Sequence, residues 1–390
     1  MKVAIVYAKF GPYHQVRLEE AGKWAQRLGH ELHGIEVAGT QADYFWANIP
    51  EPGRQYRRHR LYPDEDYWRL TYRAIRRRLR AELDQIRPDA LVLPGWGFKE
   101  SIAGLAWALH HGVPTVLVTD SRRRDASHNP FKTWAKKRLV RAFDAGFAAG
   151  SGSSLYLQEL GMDPSRIRLG CDVVDNSCFA QPDSVKVPGL VDNGRPRLLS
   201  CLRLLPRKNV LFVLDVLATA ATPWDWYIAG DGPQKAEVEA RILELGLSDR
   251  VRLLSYIEEP MLHRIYAACD VYLQPSLQET WGLAINEAMA AGRPILISDR
   301  CGCLEDLLQP GVNGYAFDPE DPDSLAERLS QMIRERPRWT DMGKASQSII
   351  ADWDLDRYAN ALFDATQVAQ TPAPRGPGGR MMRRVLSRVL

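Results

Sequence analysis

The chain has 390 residues, 45% of them apolar, and a net charge of +3; this exceeds what one hydrophobic core usually organises and excludes a disordered chain. No apolar run reaches the roughly 18 residues of a membrane span, and the start MKVAIVYAKF reads as a buried first strand rather than a signal peptide, so the expected location is the cytoplasm. The six cysteines lack CxxC pairs at zinc spacing, which reads as buried thiols and not a metal site.

Short apolar runs alternate with amphipathic stretches along both halves, the pattern of parallel strands joined by crossover helices. In chain order the first half offers VAIVYA, ELHGIEV, ALVLPG, PTVLVTD, AGFAAG and RIRLGCDVV. Between the second and third of these, Arg54 to Arg80 holds ten arginines with interleaved Tyr and Trp and only Asp64, Glu65 and Asp66 in opposition. Without a nucleic-acid module beside it, that segment reads either as a solvated helix face or as a surface for a phosphorylated or membrane-borne acceptor.

The stretch AQPDSVKVPGLVDNGRP, from Ala180 to Pro196, is rich in Pro, Gly and Asp and marks a domain boundary. Beyond it come RLLSCL, WYIAG, VRLLSY, VYLQPS, PILISD and GYAFD. The predicted architecture is therefore α/β, two Rossmann-like doubly wound domains, residues 1–182 and residues 183–350, followed by residues 351–370 and a basic tail over 371–390. Charge divides along the same lines, with 27 Lys and Arg against 20 Asp and Glu in residues 1–182, 19 against 28 in residues 183–370, and five Arg with no acid beyond. A basic first domain suggests an anionic partner, with a solvated basic face as the alternative. The tail puts Met382, Val385, Leu386, Val389 and Leu390 on one helical face, which suits the inner surface of a membrane or, equally, a frayed end.

The chemistry concentrates in QETWGLAINEAMAAG, Gln278 to Gly292. Glu279 falls in a strand-to-helix loop and Glu287 about a turn inside the helix, while Gly282 leaves the first helical amides open to a phosphate. In that arrangement Glu287 is a candidate to accept from a ribose diol and Glu279 to hold a hydroxyl beyond the phosphates. Arg203 and Lys208, just after the second domain's first strand, supply the facing cations. Gly230 and Gly232 occupy another strand-to-helix turn. A surface pair capping a helix is the alternative for the two cations, and an ordinary solvated position the alternative for Glu287.

From about Arg197 to Leu329 these motifs, with RLLPRKN, GDGP, the Glu-x7-Glu pattern and GVNGYAF, resemble the retaining, nucleotide-sugar-dependent glycosyltransferases of family 4, which have the GT-B fold of two domains facing across a cleft. LGHEL and the first strand resemble the N-terminal domain of that family, and DWDLDRYANALFDA its closing helix, which the resemblance places over residues 351–370 and returns to the N-terminal domain. The resemblance implies that Arg203 and Lys208 neutralise a departing diphosphate and that Glu287 holds the ribose. It implies further that Glu279 contacts the donor sugar, that amides near Gly282 and Leu283 bind phosphate or sugar, and that the base lies near Tyr256 and Ile257. The implied reaction retains configuration by front-face displacement, with catalysis by positioning and charge stabilisation, and with no cofactor or metal. The implied partners are a nucleotide-sugar donor and a saccharide or lipid-linked acceptor in cell-surface glycan assembly.

The first domain departs from the family where many relatives end the strand matching PTVLVTD with histidine: Asp120 stands there. Asp120 is either an acceptor base or donor-sugar contact, or the cap of the SRRRD turn. His14 and His128 are candidates for the acceptor, and Gly11, after the first strand, for close approach of a ligand. Cys303 replaces a frequent glycine beside the diphosphate loop. A catalytically silent nucleotide-sugar-binding subunit, or a transferase with a soluble small acceptor, are the alternatives.

Overall fold

The computed structural model describes residues 1–41, 55–126, 129–180, 187, 189–191, 193–220, 224–255, 257, 259–371 and 385. Two compact units account for the chain: unit 1 comprises Met1–Val174 with Leu355–Leu390, and unit 2 comprises Asp175–Asp354. Of the predicted boundary stretch, residues 181–186, 188 and 192 lie outside the described residues, as do most of the tail, Tyr256 and His128.

Among its described residues unit 1 has seven parallel strands: β1 (Lys2–Tyr7), β2 (Glu31–Thr40), β3 (Arg57–Asp66), β4 (Ala90–Pro94), β5 (Thr115–Thr119), β6 (Ala145–Ala148) and β7 (Ile167–Leu169), ordered β3-β2-β1-β4-β5-β6-β7. The order reverses between β1 and β4, the switch point outside whose carboxyl ends open sheets bind ligands. β4, β5 and β6 are almost wholly buried, as covering on both faces requires. The helix Tyr72–Ile86 shows how the layers close. Thr71 caps it by accepting from the Ala74 N–H at 3.2 Å, and Ile75, Leu79, Leu83 and Ile86, spaced on one stripe, are its buried residues. After unit 2 the chain returns as the helix Leu355–Gln370, which packs on β4 to β7 and on the helix Pro12–Arg27. Arg166 fixes it by donating to the Val368 carbonyl at 2.9 Å.

The arginine-rich segment departs from its reading as a helix face. Only its later part is one, with Arg73, Arg77, Arg78 and Arg80 exposed on the helix Tyr72–Ile86; its earlier part is the edge strand β3. That strand forms because buried Glu36 on β2 draws in two of the arginines, Arg58 at 2.8 Å and Arg60 at 3.4 Å. His33 and His59 also meet, ring nitrogen to ring nitrogen, at 2.9 Å.

Among its described residues unit 2 has six parallel strands, β8 (Arg197–Cys201), β9 (Asp225–Ala229), β10 (Val251–Ser255), β11 (Val271–Gln274), β12 (Ile295–Ser298) and β13 (Gly314–Phe317), ordered β10-β9-β8-β11-β12-β13. All six coincide with predicted runs. The two doubly wound sheets expected from the alternation of strands and helices are thus both present. Among the described residues no helix is long and apolar enough to cross a membrane.

Candidate active site

Three loops at the carboxyl ends of β8, β9 and β11 are laced together by their backbones. The Leu204 N–H donates to the Asp231 carbonyl at 3.0 Å, Gln234 N–H to Leu204 at 3.1 Å, and Leu277 N–H to Arg207 at 2.8 Å. Glycine is required at this approach: a Cβ at Gly230, where φ is +141°, would stand 1.9 Å from the Leu202 carbonyl oxygen, and one at Gly232 would stand 2.4 Å from that of Leu204. The GDGP turn therefore clamps the Arg203 loop, whatever else Gly232 does for a ligand. Arg203 is half-buried between Leu202 and Leu204, and Lys208 ends the short turn Pro206–Lys208 that follows.

Glu279 lies in the loop between β11 and the helix Leu283–Ala290, pinned by a parallel bridge to Cys301. Its Oε2 is a focal point. Lys208 Nζ is in direct contact with it, Gln274 Nε2 donates at 3.1 Å and Ser276 Oγ at 3.2 Å. Gln274 is itself oriented by the Tyr272 hydroxyl at 2.5 Å and donates to Ser276 Oγ at 2.8 Å. Since Gln274 and Ser276 are buried, the Glu279 carboxylate has a fixed orientation and a cation beside it.

Gly282 precedes the helix with φ +112°, a left-handed conformation that favours glycine. Leu283 begins the helix, and the Ile285 N–H already donates to the Gly282 carbonyl at 2.8 Å, so the amides of Leu283 and Ala284 are the ones a helix start offers to an anion. Glu287, one turn on, is buried and accepts from the Tyr266 hydroxyl at 2.6 Å. Burial, then Cys201 and Glu287, push the Tyr266 hydroxyl well up, so it remains a donor at any physiological pH. The opposing wall is equally close-packed. A Cβ at Gly302 would lie 1.7 Å from the Thr280 carbonyl oxygen, and the Cys303 N–H donates to Trp281 at 3.2 Å. The Cys303 thiol is fully buried and its titration is pushed well up, chiefly by that burial and then by Cys301 and Glu279, so it is an inert neutral group. Ile257, beyond the end of β10, is half-buried.

The remaining candidates belong to unit 1. Gly11 precedes the helix Pro12–Arg27 with extended backbone that any residue adopts, and its N–H donates to His14 Nδ1 at 3.1 Å. The His14 ring centre lies 4.4 Å from that of Tyr7. Burial, then the positive charge of Arg17, lower His14 to about 3, leaving a neutral ring that carries its proton on Nε2. Asp120 follows β5 and is half-buried. In the turn after it, Thr119 Oγ1 accepts from the Ser121 N–H at 3.1 Å and Asp125 holds Arg122 at 2.8 Å.

The structure thus brings Lys208 onto Glu279 and keeps Arg203, Gly232, Gly282, Leu283 and Glu287 in the same unit. Sequence reasoning missed Gln274, Ser276 and Tyr266 as their supports. The first two stand two and four positions after Tyr272, an alternation in QPS that was legible as polar residues at a strand end. Tyr266 gave no signal, because its helix meets Glu287 only through the tertiary fold.

Residues 184–349 match the family model described as glycosyl transferases group 1, and residues 14–170 the glycosyl transferase 4-like domain. An uncharacterised glycosyltransferase of Methanocaldococcus jannaschii is 32% identical over 143 residues, 36% of this chain and 36% of that one. The chain spans between 14% and 36% of the length of this and two further curated relatives. Among solved structures, sucrose-phosphate synthase from Thermosynechococcus elongatus superposes with a TM-score of 0.75 at 17% identity, covering 94% of this chain and 98% of that one. HepE of Anabaena in complex with UDP superposes with a TM-score of 0.71 at 15% identity, covering 94% and 100%.

Proposed function

This chain belongs to the group 1 glycosyl transferases and has the GT-B fold, and we propose that it moves a sugar from a nucleotide-diphosphate donor to a saccharide or lipid-linked acceptor with retention of configuration. The observation that carries this reading is the meeting of Lys208 and Glu279 at the carboxyl ends of β8 and β11, beside the open helix start at Gly282. The binding of UDP by HepE supports a nucleotide donor.

In this reading the donor diphosphate lies against the amides after Gly282 and against Arg203 and Lys208, and the ribose against Glu287. As the glycosidic bond to the diphosphate lengthens, negative charge grows on the leaving oxygen. Arg203 and Lys208 meet that charge, so the step needs neither a metal nor a covalent nucleophile. Glu279, already oriented, accepts from a sugar hydroxyl. The acceptor hydroxyl enters on the face the diphosphate leaves. His14, neutral and carrying its proton on Nε2, serves the acceptor as a donor rather than as a cation, and Asp120 is the candidate to take the acceptor's proton. The expected products serve glycan assembly at the cell surface.

A thermal-shift panel of UDP, GDP, ADP, CMP and their sugar conjugates tests the reading, because a ligand that binds only the folded state raises Tm. A shift confined to one diphosphate family, with slow release of that diphosphate from its sugar conjugate, is the expected result. Binding without release would make the chain a silent subunit, and no response to any nucleotide would remove the donor site.

A further inference from the structure

The helix Pro130–Val140 of unit 1 is eleven residues long, and Val140 is its buried residue. A helix of that length in a folded domain normally hides a full apolar stripe. This one does the reverse. Phe131 is 82% and Trp134 54% exposed, and with Arg138 they occupy positions i, i+3 and i+7 of a single stripe on the side opposite Val140. The arrangement is not loose. Lys136 points the other way, its ammonium 5.7 Å from the Trp96 ring centre and 5.9 Å from that of Tyr156, which fixes the rotation of the helix and holds the aromatic stripe outward. The Arg138 guanidinium stacks 3.9 Å from the Trp134 ring centre, so a cation and an indole share one edge.

The surrounding charge names the partner. Residues 121–141 carry eight Lys and Arg against the single Asp125, and Asp125 is held by Arg122. Lys132 and Lys137 are exposed on either flank of the stripe. A protein groove would call for a shaped apolar knob with a polar rim, and single-stranded nucleic acid for rings that line a cationic groove, whereas Phe131 is 82% exposed and stands clear of the surface. Two outward aromatics set among cations match the headgroup layer of an anionic membrane, where ring and charge are solvated at different depths.

We propose that the helix Pro130–Val140 docks unit 1 on an anionic lipid bilayer, with Phe131 and Trp134 entering the interface and Lys132, Lys137 and Arg138 meeting the headgroups. The inference deepens the lipid-linked acceptor named above and rests on that reading. It would hold the enzyme at the surface where such an acceptor resides.

The test is co-sedimentation of the full chain with vesicles of phosphatidylcholine alone and of equal parts phosphatidylcholine and phosphatidylglycerol, for the wild type and for Phe131→Ser/Trp134→Ser. The wild type should bind the anionic vesicles and not the neutral ones, with binding that weakens as salt is raised. The double variant should bind about tenfold or more weakly, since two such side chains can bury far more apolar area than that factor requires. Its Tm and its release of diphosphate from the donor should be unchanged, because neither residue is placed in the binding machinery. Equal vesicle binding by the variant would overturn the proposal, as would no binding by the wild type. A variant defect seen only in binding to RNA, or only in self-association, would overturn it too. Loss of vesicle binding with donor release intact separates this helix from the donor site, and absent donor release with vesicle binding intact would sink the enzymatic reading alone.

Discussion

The Tyr266 hydroxyl donates to Glu287 Oε2 across 2.6 Å, with both side chains buried. A carboxylate withdrawn from water keeps its orientation only through such donors, so the ribose contact assigned to Glu287 depends on a residue 21 positions earlier in the chain. Tyr266→Phe should cost about 1–3 kcal/mol in urea unfolding. It should also weaken binding of the responsive nucleoside diphosphate while leaving kcat at saturation nearly unchanged. A variant with wild-type affinity would show that Glu287 is positioned by other means.

Gln274 stands behind Glu279 as Tyr266 stands behind Glu287. Gln274→Leu removes donors to both Glu279 and Ser276, leaving more freedom to the carboxylate proposed to hold a sugar hydroxyl. The expected change is a fall in kcat of roughly tenfold or more, the scale at which small misplacements act, with donor KM little altered and partial rescue in Gln274→Asn. Lys208→Ala should lower kcat further, since it removes a group proposed to meet the leaving charge itself. Steady-state kinetics on the three variants distinguishes the two effects.

His14 has a consequence in acid. Its folded-state value, about 3, lies below the ordinary histidine value of 6.5, so between those two pH values the unfolded chain binds more protons. Stability is then full above pH 6.5 and is lost as pH falls from 6.5 toward 3, by at most ~1.4 kcal/mol per pH unit from this group. His14→Gln should flatten that part of the curve relative to wild type in urea titrations from pH 7 to pH 4. Parallel curves would mean that His14 is protonated in the folded protein and has no such role.

Among the described residues, twelve of the thirteen strands were legible, because strands buried on both faces appear as short unbroken apolar runs bounded by turn residues. β3 was not. In RRHRLYPDED the buried residue is Leu61, and what pairs the strand is an ionic contact to Glu36, a residue of β2 that no local window includes. The site divides the same way. Glu279, Gly282 and Glu287 are legible because a strand end, a helix start and a helix face have fixed spacing, and Lys208 because it follows another strand end. Gln274 and Ser276, which hold Glu279, lie at the same strand end, whereas Tyr266 reaches Glu287 from another helix, a meeting that only the folded chain sets.

The return of the helix Leu355–Gln370 to unit 1 reverses the order in which the protein is finished. Strands β4 to β7 leave the ribosome roughly 260 to 190 residues before the helix that covers them, about 10 to 50 seconds at about 5–20 residues per second. Unit 2, continuous in sequence, can complete its core within that interval. The half of the molecule made first is thus the last to close, and until then the part of its sheet that this helix covers lacks its cover.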